Sequence, residues 1–166
     1  MDFREAIVSQ YLGALAMVEE SIRRCPLDLW QAAPATGRFW QIAYHALFYT
    51  QLYLQESEQT FHPWQGHRAE SQYLGPVGWD NNRLPEIGEP YTQEEMLEYV
   101  AFCREEVERR LHDIDFGAPS GFDWLPFNKL ELQVYNIRHL QQHIGELDAR
   151  LSERGIETGW VGSSDW

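Results

Sequence analysis

Apolar positions fall into four segments with helical spacing, separated by two stretches that break it. Ile7, Tyr11, Leu15, Val18 and Ile22 recur three or four positions apart, which predicts a helix from about Asp2 to Arg24. Asp2 with Glu5 has the spacing of a capping box, and Pro26 follows where such a helix should stop. After a connector from Pro26 to Gly37, Phe39-Trp40-Gln41-Ile42-Ala43-Tyr44-His45-Ala46-Leu47-Phe48-Tyr49 is apolar nearly all round. It predicts a deeply buried helix over about Arg38 to Glu56. A third helix opens at Thr92, whose capping box with Glu95 is flanked by a Tyr91–Met96 hydrophobic staple, and ends near Asp113. A fourth runs from about Pro126 to Arg154 and stops at Gly155.

Between the second and third helices, residues 57–91 contain Pro63, Gly66, Gly75, Pro76, Gly78, Pro85, Gly88 and Pro90, so no long helix forms there. Trp64, Tyr73 and Trp79 predict that this loop is ordered and packed rather than a free linker. The expected architecture is therefore all-α: one domain over residues 1–166, a four-helix bundle with a long crossover between helices two and three. The short first and third links favour antiparallel neighbours, and the long middle link allows a crossover.

Composition narrows the function classes. With 26 acidic against 13 basic residues and a formal net charge of -13, the chain would repel a nucleic acid, and no nucleic-acid partner is expected. Lys129 is the single lysine. Cys25 and Cys103 form no CxxC, which disfavours a thiolate zinc site or a redox pair. No apolar run approaches the length of a membrane span, and Met1-Asp2-Phe3-Arg4-Glu5 is no signal peptide, so a cytoplasmic protein is expected. Aromatic residues make up 14% of the chain, more than a bundle of this size needs for its core. That surplus suits either a homodimer interface or an aromatic-walled pocket.

The chemistry lies in the histidines. His139 and His143 are four apart in a helix, so their rings share one face about one turn apart, the spacing at which two neutral imidazoles reach one cation. His45 sits mid-way along the apolar second helix, where a lone neutral ring needs a partner. A bundle can bring the three together as a metal site, while a satisfied core histidine is the competing reading of each alone. Tyr49 and Gln41 lie one turn either side of His45, and Gln142 and Glu146 flank His143. Glu146 and Tyr49 are the candidate catalytic groups, against a solvated or interhelical role for Glu146. His62, His67 and His112 fall in a loop or at a helix end and are read as surface or hydrogen-bonding residues. No Glu-x-x-His pair, HExxH, G-x-S-x-G, phosphate loop or dinucleotide fingerprint occurs.

The aromatic segment ending in His45 and the segment Asn136-Ile137-Arg138-His139-Leu140-Gln141-Gln142-His143-Ile144-Gly145-Glu146-Leu147 resemble the two signatures of the DinB/YfiT-like superfamily. The resemblance implies a divalent metal, zinc, nickel or iron, held by His45, His139 and His143 with positions open to water or substrate. It also implies a metal-dependent hydrolase or a thiol transferase acting with a low-molecular-weight thiol, and a homodimer. The family's name implies no DNA contact. The alternative is a bundle that binds a metal or a small ligand without catalysis.

Overall fold

The computed structural model describes residues 3–32, 37–78 and 82–163. Five helices appear among them and no strand: α1 (Phe3–Arg24), α2 (Leu27–Gln31), α3 (Phe39–Tyr53), α4 (Gln93–Asp113) and α5 (Lys129–Ser152). The cap expected at Asp2 and the packing expected of Trp79 lie outside the described residues. No helix among those described is long and apolar enough to cross a membrane.

The four long helices pack in a ring in which α1 touches α4 and α5, and α3 touches the same two. Side-chain clamps give their directions. Arg4 at the start of α1 donates to the carbonyls of Leu111 and Ile114 at the end of α4, and Gln93 at the start of α4 donates to those of Ile22 and Cys25. These two helices are therefore antiparallel. Lys129 and Gln133 at the start of α5 reach the end of α3, and Arg150 reaches the carbonyl of Gly37 before α3 begins, so α3 and α5 are antiparallel too. Tyr11 meets Gln133 and Ser21 meets Asp148, which sets α1 parallel to α5.

The expected links need one correction. The first and third links do not join neighbours in the ring; they join the diagonals α1/α3 and α4/α5. The first spans its diagonal through α2, absent from the sequence reading because five residues carry too little periodicity to register. Trp30 of α2 is buried, and its indole N–H donates to the Tyr91 carbonyl just before α4. The long middle link joins the parallel neighbours α3 and α4, whose pairing needs a return along the length of the molecule.

Helix α3 stops at Tyr53 rather than Glu56 because its last carbonyls are taken by α5. The Lys129 ammonium donates to the Gln55 and Glu56 carbonyls at 2.7 and 2.8 Å, and Gln133 donates to that of Tyr53. A cation at a helix C-terminus also meets the negative end of the helix dipole. Helix α5 starts at Lys129 rather than Pro126 because Asn128 caps it, its side chain accepting from the Glu131 N–H at 2.9 Å. Gly121 in the preceding loop lies 2.0 Å, measured from a Cβ built on it, from the Glu56 carbonyl oxygen and has φ +85°, so only glycine fits there.

Many of the aromatic residues are packed inside the chain, while Phe3, Trp124 and Trp160 are exposed. Trp40, Tyr11, Tyr44, Tyr91, Tyr99 and Phe39 are all fully buried. Trp64 carries the long loop into the core, stacking on Tyr99 at 4.6 Å between ring centres. Gln51 of α3 ties it there, donating to the His62 carbonyl while its own carbonyl oxygen accepts from the Trp64 N–H and the Tyr99 hydroxyl. Replacing Lys129 with Met keeps the bulk but removes the donor to the buried Gln55 carbonyl and to the Glu56 carbonyl beside it. Its unfolding midpoint in urea should fall by an amount equivalent to about 2–4 kcal/mol, with the slope unchanged.

Candidate metal centre

α3 is buried along almost its whole length, and His45 stands at its middle with its ring turned toward α5. The four-residue spacing of His139 and His143 puts both on the face of α5 that α3 covers. The three rings converge. His45 Nε2 lies 3.1 Å from His139 Nε2, and His143 Nε2 lies 3.1 Å from the same atom. One ligand atom from each of the three falls within 4.8 Å of the others. His143 is buried, and His45 and His139 are half-buried.

Two fixed acceptors set the protonation of this cluster. His45 Nδ1 lies 2.6 Å from the backbone oxygen of Gln72, which only accepts, so Nδ1 carries the hydrogen and Nε2 presents a lone pair. His143 Nδ1 lies 2.9 Å from Glu146 Oε2, which fixes the same tautomer. His139 Nδ1 is buried with no hydrogen-bond partner among the described residues.

Burial pushes the His45 imidazolium pKa down to about 3, against the raising effect of the Gln72 carbonyl, and pushes that of His139 down to about 4, with His143 adding to it. Both rings are neutral at pH 7. The donor set therefore suits a divalent cation. Donors sharing one ion at about 2.0–2.1 Å sit about 3.0–3.4 Å apart, and the observed separations match. His45, His139 and His143 are the residues able to hold it.

Other predicted residues have different places. Glu146 bonds the outer nitrogen of His143, so it orients a ring and does not face the point where the inward nitrogens meet. Tyr49 packs on His45 and His139, 4.7 and 5.5 Å between ring centres, and burial lifts its hydroxyl to about 12. Gln41 donates to the Tyr73 carbonyl and so fastens the loop, not a histidine. Gln142, His62 and His112 are exposed, and His67 meets the Tyr44 hydroxyl at 2.6 Å. The Gln72 carbonyl escaped the sequence reading, since every residue has one and nothing in an irregular loop marks which will be used.

Beside the cluster lies a cleft of about 620 Å³ walled by Phe48, Tyr49, Tyr53, Phe61, Tyr73 and Trp124. Tyr49 and Gln72 belong to both the cleft and the surroundings of His45. The long loop thus does two things here: its backbone orients His45, and its side chains shape the adjoining pocket.

The molecule is thus a ring of helices with three histidine nitrogens gathered on the α3–α5 seam, a donor set able to hold a metal. The chain belongs to the DinB superfamily, whose family model matches residues 10–147. No curated protein and no solved structure matches it.

The depressed histidine pKa values carry a pH dependence. In the unfolded chain these rings take protons near pH 6.5, whereas folded His45 and His139 resist them to about 3 and 4. Between those values the unfolded state binds more protons, so stability rises with pH. Chelator-treated protein should hold its full stability above about pH 6.5 and lose it steadily as the pH falls toward 4. Urea midpoints at several pH values measure this, and His45→Gln should flatten the slope.

Proposed function

We propose that the protein is a metal-dependent enzyme of the DinB class, with one divalent cation held by His45, His139 and His143. The observation that carries this reading is the convergence of three Nε2 atoms, those of His45 and His143 each 3.1 Å from that of His139 and each with its outer nitrogen held by a fixed acceptor. A cation so held is a Lewis acid that lowers the pKa of a bound water or thiol toward neutrality. Hydrolysis and thiol transfer share that requirement, and the ligand set serves both.

The chain's own residues supply the rest. The Gln72 carbonyl and the Glu146 carboxylate hold the His45 and His143 rings in register, so little ordering remains to be done on binding. Tyr49, protonated at neutral pH, stands on the cleft wall beside two of the three histidines as a hydrogen-bond donor to a ligand. Phe48, Phe61 and Tyr73 make that side of the cleft apolar, so a substrate bound there displaces water from beside the site. Glu146 acts as a positioning residue.

Untagged, chelator-treated protein titrated with zinc or nickel should bind one ion per chain. Replacing any one of His45, His139 or His143 with Ala should weaken binding by about 100-fold or more, and Glu146→Gln by about 10–100-fold. Unchanged affinity in the single His variants contradicts the site. Turnover of thiol–electrophile pairs, or of simple esters and amides, in the loaded protein and its absence in the Ala variants separates an enzyme from a binding protein.

A further inference from the structure

We propose that Glu70, clamped by Arg83, is a positioning residue for His45: it sets the turn that brings the Gln72 carbonyl to His45 Nδ1. This rests on the reading of His45 as a metal ligand, and it names what holds that ligand's ring in place.

Helix α3 offers the long loop two donors one turn apart. Gln41 Nε2 donates to the Tyr73 carbonyl at 2.7 Å, and His45 Nδ1 lies 2.6 Å from the Gln72 oxygen. Two successive carbonyls thus face one helix. In an extended segment they would point to opposite sides, so the backbone has to turn beside them. It does so twice in succession. The Ser71 N–H donates to the Arg68 carbonyl at 3.3 Å, and the Tyr73 N–H donates to that of Glu70 at 3.1 Å.

Glu70 is the third residue of the first turn and the first of the second. Its φ is +65°, and among the described residues it is the one non-glycine with a positive φ. A third turn position with positive φ favours Gly or Asn, and Glu is neither. A residue so disfavoured by its own turn needs a hold from outside it. The Glu70 carboxylate takes that hold. Arg83 donates to its two oxygens at 2.7 and 3.0 Å, fork to fork, and the Glu86 N–H donates to Oε2 at 2.8 Å. The Arg83 hydrogen bonds and the Glu86 N–H keep this carboxyl below the usual carboxylate range, so it is ionised at neutral pH. Arg83 is itself tied down, its carbonyl accepting from the Val77 N–H at 2.9 Å. The loop therefore returns at residues 83–86 to clamp its own turn. Gln72 lies between that clamp and the Gln41 bond. An ion pair this exposed contributes little to overall stability, so its effect is local, at the carbonyl that fixes the His45 ring.

The test uses R83M and E70G in the full chain. Each removes the clamp, and glycine adopts the positive φ without strain. E19Q, which alters another exposed ion pair, is the control. Two-bond 1H–15N spectra of the metal-free protein at neutral pH read the tautomer of each imidazole. His143 is the internal reference, because Glu146 and not the loop holds its outer nitrogen. In R83M and E70G the His45 signals should leave the pure Nδ1–H pattern while those of His143 stay, and zinc should bind about three- to tenfold more weakly. E19Q should match the unaltered chain in both. An unmoved His45 ring in R83M or E70G overturns the proposal, and so does equal movement of His45 and His143, which marks general loosening. The zinc arm keeps the two readings apart. Stoichiometric zinc with full affinity in R83M and E70G overturns the positioning role alone. Failure of the unaltered chain to bind zinc overturns the metal centre, while the metal-free spectra still decide whether Glu70 sets the His45 ring.

Discussion

Everything at the histidine cluster depends on where two hydrogens are held. The Gln72 carbonyl takes one from His45 Nδ1 and the Glu146 carboxylate takes the other from His143 Nδ1. Each bond commits its ring to a lone pair on the inward nitrogen. Burial then keeps the His45 and His139 rings neutral, since a charged imidazole would lose its hydration with no anion facing Nε2. Three inward nitrogens in a half-dry seam form a poor hydrogen-bonding group and a good donor set, which is the physical basis for reading the seam as a metal centre.

The fold serves that arrangement through the α3–α5 pair. Opposite ends of the seam are fastened by side-chain-to-backbone bonds, Lys129 and Gln133 at one end and Arg150 at the other. The histidines lie between the fastened ends, where the register of the two helices is least free to slip. The long loop completes the third side. Trp64 and Gln51 anchor it in the core, Gln41 grips it at Tyr73, and the adjoining residue, Gln72, then orients His45. Part of the cleft wall and the orientation of His45 are thus built from one segment.

Helical periodicity made the three histidines and the helix order legible in the sequence. Spacing along a helix fixes which side chains share a face, so His139 and His143 needed no structure to be paired, and His45 stood out as a histidine mid-way along a helix that is apolar nearly all round. The capping box at Thr92 and Glu95 is also present as read. What stayed hidden is what periodicity does not encode. The diagonal placement of the short links depends on how four faces pack at once. The ends of α3 and α5 were set by Lys129 and Asn128, a tertiary clamp and a cap stronger than the apolar pattern running past them. Glu146 was visible as a neighbour of His143, but only geometry shows that it addresses the outer nitrogen. Asp123 and Trp124 reach the cleft from a loop with no repeating pattern at all.

Anomalous diffraction from crystals of untagged protein grown with zinc, recorded on both sides of the metal absorption edge, tests the central claim most directly. The account predicts one strong peak per chain, at about 2.0–2.1 Å from the Nε2 atoms of His45, His139 and His143, with the Gln72 carbonyl and Glu146 still on their outer nitrogens. A cluster without a peak, or a metal bound elsewhere with the three rings turned apart, would contradict it.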